Sequence, residues 1–351
     1  MRIGLLAPVA LSVPPVGYGG TELVVSMLAD GLVSRGHRVT LFASGDSRTR
    51  AELRALHPRA LTPLGFDTKE RYVPLEEAHA RWSLAQAEGL DLIHDHTKTQ
   101  GVLLASEATV PVVTTIHNDF TPERRGVYLS HREHRYVSIS RAQAARLEAL
   151  NYVGTVHNGI DLGAARPTAR KENYLLFLGR LCEAKGTHTA IALAKTLGIP
   201  LVLAGKVDPA DRAYFEAEVA PHLGDPLISF VGEVHGPAKW DLLSRARCLV
   251  FPIQWEEPFG LVMIEAMACG TPVVATRRGS VSEVVRPMVS GWIADDLAGL
   301  AEGVARAGRI PAERCRRWVE ENFSARAMVE GYLAVYARVL ASPSGGPGHG
   351  A

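Results

Sequence analysis

Short apolar runs alternate with amphipathic stretches along the whole chain, a pattern that predicts parallel α/β architecture. In the first half, Arg2–Pro8, His37–Ser44, Asp91–Thr97, Pro111–Asn118, Arg135–Ser140 and Thr155–Gly159 read as strands. Helical patterns such as Thr21–Arg35 and Arg141–Leu150 lie between them. A second series starts at Tyr174–Gly179 and continues through Pro200–Lys206, Leu227–Gly232, Arg247–Pro252 and Pro272–Thr276. Asp161–Asn173 separates the two series; it has neither period and reads as a linker. The chain is therefore expected to form two Rossmann-like, doubly wound parallel-sheet domains, over residues 1–162 and 163–324, facing one another across a cleft. A last helix over residues 325–341 is expected to pack back onto the first domain. Residues 342–351, rich in Gly, Pro and Ser, are expected to be a disordered tail. Ligands of such sheets bind beyond the carboxyl ends of the strands, so unusual residues just after strands are the candidates for function.

Composition narrows this picture. The 351 residues are 47% hydrophobic and 21% charged, enough apolar material for two cores of ordinary size. Lys plus Arg (38) nearly balances Asp plus Glu (37), which gives no support for a general nucleic-acid-coating protein. Pro8, Pro14 and Pro15 interrupt the apolar start, and no uninterrupted apolar run reaches the roughly 18 residues of a membrane helix. Cys182, Cys248, Cys269 and Cys315 lack CxxC or metal-ligand spacing and read as buried residues of a cytoplasmic protein.

The sharpest chemical signal is Pro252–Gly270, PIQWEEPFGLVMIEAMACG. Pro258-Phe259-Gly260 opens an apolar, helix-favouring run that ends in Cys269-Gly270. Backbone N–H groups around Phe259, Gly260 and Leu261 then point out of a helix mouth, a site suited to a diphosphate. Glu257 precedes the run and Glu265 lies eight positions on, about 12 Å along a helix axis. Retaining double displacement needs two carboxylates about 5 Å apart. The pair is better suited to holding two parts of one long ligand by charge-assisted hydrogen bonds.

Other candidates also follow strands. Arg180 and Lys185 flank the turn after the strand that ends in Gly179, where they are either solvated or bound to an anion. Lys206 follows Ala204-Gly205, and serves a phosphate, a base or only the solvent. Val231 and Gly232 close the next strand, and Arg277-Arg278 add positive charge before Gly279. In the first half, Gly19 and Gly20 sit in GYGGTE, which is not a dinucleotide fingerprint; Thr21 is placed to cap the following helix. His117 closes the PVVTTI strand, and His94 and His96 share one face of the strand before it. No carboxylate cluster reads as a dedicated metal site; Asp91 and Asp95 share one strand face, which suits structural roles better than ligation.

EPFGLVxxEAMACGTPVVAT, from Glu257 to Thr276, closely resembles the signature of family 4 of the retaining glycosyltransferases (glycogen-synthase-like, group 1, of GT-B fold). The resemblance extends in order through Gly19-Gly20-Thr21-Glu22, His117, Ser138-Ile139-Ser140, Asn158-Gly159-Ile160-Asp161, Gly179-Arg180-Leu181, Lys185-Gly186 and Phe230-Val231-Gly232. It implies a metal-independent hexosyltransferase with no cofactor, whose partners are a nucleotide-diphosphate sugar and a sugar, lipid-linked or small-molecule acceptor. UDP-sugar is the first expectation for the donor and GDP-mannose the second; an oligomer stays open. Glu265 is implied to hold the donor ribose, and Glu257 the hydroxyls of the transferred sugar. Phe259, Gly260 and Leu261 are implied to offer backbone amides. Arg180 and Lys185 are implied to bind the diphosphate, and His117 to stabilise the oxocarbenium-like transition state. Gly19, Gly20, Lys206, Val231 and Gly232 complete the implied donor site. Three features depart from the family pattern: Asn118 stands where many relatives have an acid, with Asp119 one place later; Gly279–Glu283 reads GSVSE in place of GGxPE; and Lys206 replaces the acidic or glycine-rich turn common in relatives. A nucleotide-sugar epimerase of similar architecture, a retaining phosphorylase or a non-catalytic binding scaffold remain alternatives.

Overall fold

The structure, a computed structural model, describes residues 1–66 and 68–341. The expected tail over 342–351 lies outside the described residues. The described residues divide into two units: Met1–Asn158 joined by Ala325–Ala341, and Gly159–Ser324.

The first unit is a seven-stranded parallel sheet of β1 (Arg2–Leu6), β2 (Arg38–Phe42), β3 (Glu52–Arg54), β4 (Leu92–Asp95), β5 (Val112–Ile116), β6 (Arg135–Ser138) and β7 (Tyr152–Thr155). Its strand order is β3-β2-β1-β4-β5-β6-β7, so the order reverses between β1 and β4. Strands buried on both faces read as near-continuous apolar runs, and β5, VVTTI, is buried at every position. The helix Ala325–Ala341 belongs to this unit: Val329 packs on Gly31 of the helix Gly20–Val33, and Val335 on Gly154 of β7.

The second unit has six parallel strands: β8 (Leu175–Leu178), β9 (Leu201–Ala204), β10 (Ile228–Phe230), β11 (Cys248–Phe251), β12 (Val273–Thr276) and β13 (Gly291–Ala294). Their order, β10-β9-β8-β11-β12-β13, reverses between β8 and β11. At that reversal the loops after the two strands diverge and leave a crevice for a ligand. Leu175, Phe177, Leu203, Val250 and Val274 form the centre of the core together with Ile191 and Leu300 from the covering helices. All four cysteines are free and buried, as their apolar surroundings imply.

The structure differs from the sequence expectation in several places. The strand expected at Thr155–Gly159 lies at Tyr152–Thr155, beside a register shift in its partner at Tyr136/Val137. Arg141–Leu150 is helical only to Ala145, after which Leu147 and Leu150 are reached through tight turns. Thr21 caps nothing: the helix starts at Gly20, with Gly19 as the capping residue and no side-chain cap. The expected linker is strapped to the second unit. Lys171 Nζ donates to the Ser244 and Cys269 carbonyls and to Thr271 Oγ1, and Arg316 donates to the Leu162 and Ala165 carbonyls.

Candidate donor site and a buried histidine cluster

In the second unit, β8 ends at Leu178 and the chain turns through Gly179, Arg180 and Leu181 into the short turn Glu183–Lys185. Gly186 follows at φ 70°, and a Cβ there would fall 1.9 Å from the Pro252 carbonyl oxygen. Only glycine accommodates both the left-handed backbone and that close approach. The loop carrying Lys185 is thereby seated against the loop after β11.

The seating brings Lys185 to Glu257. The Lys185 ammonium pairs with Glu257 Oε2, and the Trp255 indole N–H donates to the same oxygen at 3.0 Å. Lys185 Nζ also lies 5.0 Å from the Trp255 ring centroid and 5.7 Å from that of Phe251. Such cation–π contacts hold the Lys185 side chain over the two rings. The pair is largely buried, with side-chain exposures of 20% for Lys185 and 9% for Glu257.

The loop after β12 braces the same segment. Gly279 N–H donates to Glu256 at 2.6 Å, Ser280 N–H to the Glu257 carbonyl at 2.9 Å, and Ser280 Oγ to the Phe259 carbonyl at 2.8 Å. This is how GSVSE serves in place of GGxPE: the serine hydroxyl ties the two loops together. Phe259 is buried against Phe323, with ring centroids 6.0 Å apart. Gly260, at φ 77°, is the capping residue of the helix Leu261–Ala268. Pro258 therefore lies outside the helix, not at its first position. The N-terminal dipole of this eight-residue helix follows directly on Glu257 and Phe259.

Glu265 lies within that helix and meets a different lysine. Lys239 Nζ is 2.8 Å from Glu265 Oε1, and both side chains are mostly buried. Arg180 contacts neither glutamate. Its guanidinium reaches Asp208 and Asp211, each at 3.3 Å, and Lys206 reaches Asp208 at 2.8 Å. Burial acts to raise the Asp208 pKa, but hydrogen bonds and charge from Lys206 and Arg180 outweigh it and hold the carboxyl below its usual range. Val231 is exposed, and the Gly232 carbonyl accepts from Gly205 N–H at 2.8 Å. A cavity of about 450 Å³ opens beside the same loops, lined by Thr189, Gln254, Arg277, Arg278, Asp295 and Leu297. None of the donor residues inferred from sequence lines it.

His117, Gly19 and Gly20 belong to the first unit. His117 follows the last residue of β5, and Gln143 clamps the backbone around it by donating to the Ile116 and Asn118 carbonyls at 2.9 and 3.1 Å. Its Nε2 is 2.8 Å from His96 Nδ1. His94 sits between Tyr336 and Thr115, at 2.7 Å from each hydroxyl. Burial depresses all three histidines, His117 to about 4, so each is a neutral imidazole at neutral pH. Asp119 does not replace the acid absent after His117: Arg146 and the Phe120 N–H hold its carboxylate. Asp95 is buried among Thr97 and Thr114. Burial raises it to about 6 against the opposing hydrogen bonds. Among the described residues, no group of three His, Cys, Asp or Glu side chains is arranged to hold a metal.

Trp255 and Lys239, in contact with Glu257 and Glu265, went unread in the sequence, as did Asp208 and Asp211 beside Arg180. Trp255 stands two places before Glu257, inside the signature segment, and could have been noted there. Lys239 has no such cue, because only the fold brings it to Glu265.

The Glycosyl transferases group 1 family matches residues 164–324, and Glycosyltransferase Family 4 matches residues 18–164. A phosphatidyl-myo-inositol mannosyltransferase of Mycolicibacterium smegmatis is 24% identical, over 93% of this chain and 92% of that one. Glycogen synthase of Mycobacterium tuberculosis is 28% identical, over 87% of this chain and 86% of its own length. Among solved structures, AviGT4, a glycosyltransferase involved in avilamycin A biosynthesis, is similar with a TM-score of 0.76. Its sequence identity is 28%, with 97% of this chain and 98% of that chain covered. Among the described residues, no helix is long and apolar enough to cross a membrane. Two parallel α/β units, the ordered motifs and matches that together span residues 18–324 lead to one conclusion: this chain belongs to the group 1, family 4 glycosyltransferases of GT-B fold.

Proposed function

We propose that this enzyme transfers a hexosyl group from a nucleoside diphosphate sugar to an acceptor hydroxyl, with retention at the anomeric carbon and without a metal ion. The observation that carries this reading is Lys185 paired with Glu257 directly before the helix Leu261–Ala268. A cation and a helix N-terminus at one place are what a pyrophosphate leaving group needs as its charge grows, the work a divalent ion does elsewhere. Glu257 then orders the hydroxyls of the transferred sugar, and Glu265 the ribose. Arg180 supplies further positive charge to the diphosphate.

The chemistry follows from what these groups can do. The acceptor oxygen bonds to the anomeric carbon as the bond from that carbon to the phosphate oxygen breaks. The departing oxygen takes the acceptor's proton. Attack and departure share one face, so configuration is retained without an enzyme nucleophile. A neutral His117 at the sugar does not repel the positive charge that develops on the ring, whereas an imidazolium would.

UDP-hexoses are the first donors to test and GDP-mannose the second; the acceptor class stays a sugar, a lipid-linked sugar or a small molecule. The enzyme is incubated with these donors and candidate acceptors in EDTA, and the product is read by mass spectrometry and by anomeric proton coupling. The expected product keeps the donor's α configuration, at a rate that added magnesium leaves unchanged. A β-linked product, or turnover that appears only with a divalent ion, would contradict the mechanism.

A further inference from the structure

We propose that His96 is a positioning residue that fixes the tautomer of His117, so that His117 carries its proton on Nδ1 and accepts a hydrogen bond at Nε2. The catalytic consequence rests on the reading of His117 given above, but the tautomer itself rests on geometry alone.

The two rings share one hydrogen bond, between His96 Nδ1 and His117 Nε2 at 2.8 Å, and stack at 5.1 Å between centroids. Both are neutral at neutral pH, so each ring has one N–H and one lone pair. Two arrangements satisfy the shared bond. If His117 donated from Nε2, His96 would accept at Nδ1 and carry its own proton on Nε2. That Nε2 is buried and meets no donor or acceptor among the described residues. A buried N–H would then be orphaned, a state that native structures seldom tolerate. If His96 donates from Nδ1, its Nε2 keeps only a lone pair, and the proton is used where an acceptor exists. The second arrangement is favoured.

His117 must then hold its proton on Nδ1, because Nε2 is occupied as an acceptor. Gln143 fixes the backbone on either side of the ring, so both the ring's location and its polarity are set. The nitrogen not engaged by His96 is thus a neutral donor, suited to a sugar oxygen and unable to act as a base. Within this pair, His96 has no other polar partner to serve. Its nitrogen chemistry is spent on His117.

The test uses the full chain labelled with ¹⁵N-histidine, with long-range ¹H–¹⁵N spectra at pH 7 and donor-saturated turnover. In the wild type, the His117 Nδ1 signal should be that of a protonated nitrogen and the Nε2 signal that of a bare one. His96→Asn keeps an N–H donor near the Nδ1 position; it should preserve that signature and hold kcat within about threefold. His96→Asp is nearly isosteric but offers only an acceptor. It should move the His117 proton to Nε2 and lower kcat by at least about 10-fold, with donor KM less affected. A wild-type His117 protonated on Nε2 would overturn the assignment, and that spectrum needs no variant to fold. Matching tautomers in the Asn and Asp variants would overturn it too. A tautomer that flips in His96→Asp with kcat unchanged would support the hydrogen-bond assignment and instead remove His117 from the reaction.

Discussion

Lys185→Ala is expected to lower kcat/KM by about 10²- to 10³-fold, or roughly 3–4 kcal/mol of transition-state stabilisation. Two effects combine. The diphosphate of the proposed reaction loses the cation paired with Glu257, and Glu257 loses its ion-pair partner while staying mostly buried. The first effect acts on catalysis and the second on the fold, so they can be separated. Glu257→Gln with Lys185 intact should also lose activity, through weaker hold on the sugar. The double variant should be more stable than Lys185→Ala alone, because removing one member of a buried pair leaves an uncompensated charge and removing both does not. Urea midpoints and steady-state kinetics on the four proteins check this. Additive losses of activity and stability would show that the two side chains do not act together.

Acidification is the second large effect. His79, His117 and His134 are held near 4 by burial, and His94 and His96 well below the usual value, all in the first unit. The folded pKa lies below the unfolded one. Stability is therefore fully present above pH 6.5 and is lost as the pH falls toward 4, where the unfolded chain binds protons that the folded chain refuses. A histidine held near 4 costs roughly 3 kcal/mol over that window. Asp95, Glu22 and Glu76 oppose the trend, since burial raises their pKa values and the folded state takes up protons there. The buried histidines therefore lower stability as the pH falls below 6.5, and the three acids offset part of that loss. Hydrogen exchange should show β4 and β5 losing protection between pH 6.5 and 5, before β11 and β12 do. A urea midpoint that stays constant from pH 7 to pH 5 would contradict the burial of this histidine set.

Much of this was legible in the chain itself, for reasons that also explain the gaps. The buried parallel strands could be read because both of their faces must be apolar, as in VVTTI of β5 and LLFL of β8. The edge strand β3 was missed: ELR is three residues long, polar and partly exposed, so nothing in its composition marks it. β13, GWIA, was missed for a similar reason, being short and opened by a glycine. Helix ends failed where a glycine caps in place of a side chain, as at Gly19 before Thr21, and where turns tighten, as after Ala145. In the donor region the segment around Glu257 and Glu265 stood out because acids interrupt an apolar run. Their lysines, at positions 185 and 239, are far from them in sequence, and only the fold pairs them. The hydrogen bond between His96 and His117 joins adjacent parallel strands, which no local spacing rule encodes.

The central claim is that the second unit grips a diphosphate with its own cations. Calorimetric titration of the full chain with UDP, GDP and ADP in EDTA tests it most directly. At least one nucleotide is expected to bind without metal, in the micromolar range or about −7 to −8 kcal/mol, and Lys185→Ala should weaken it by at least about 10-fold. No heat with any of the three, binding that requires magnesium, or equal affinity in Lys185→Ala would contradict it.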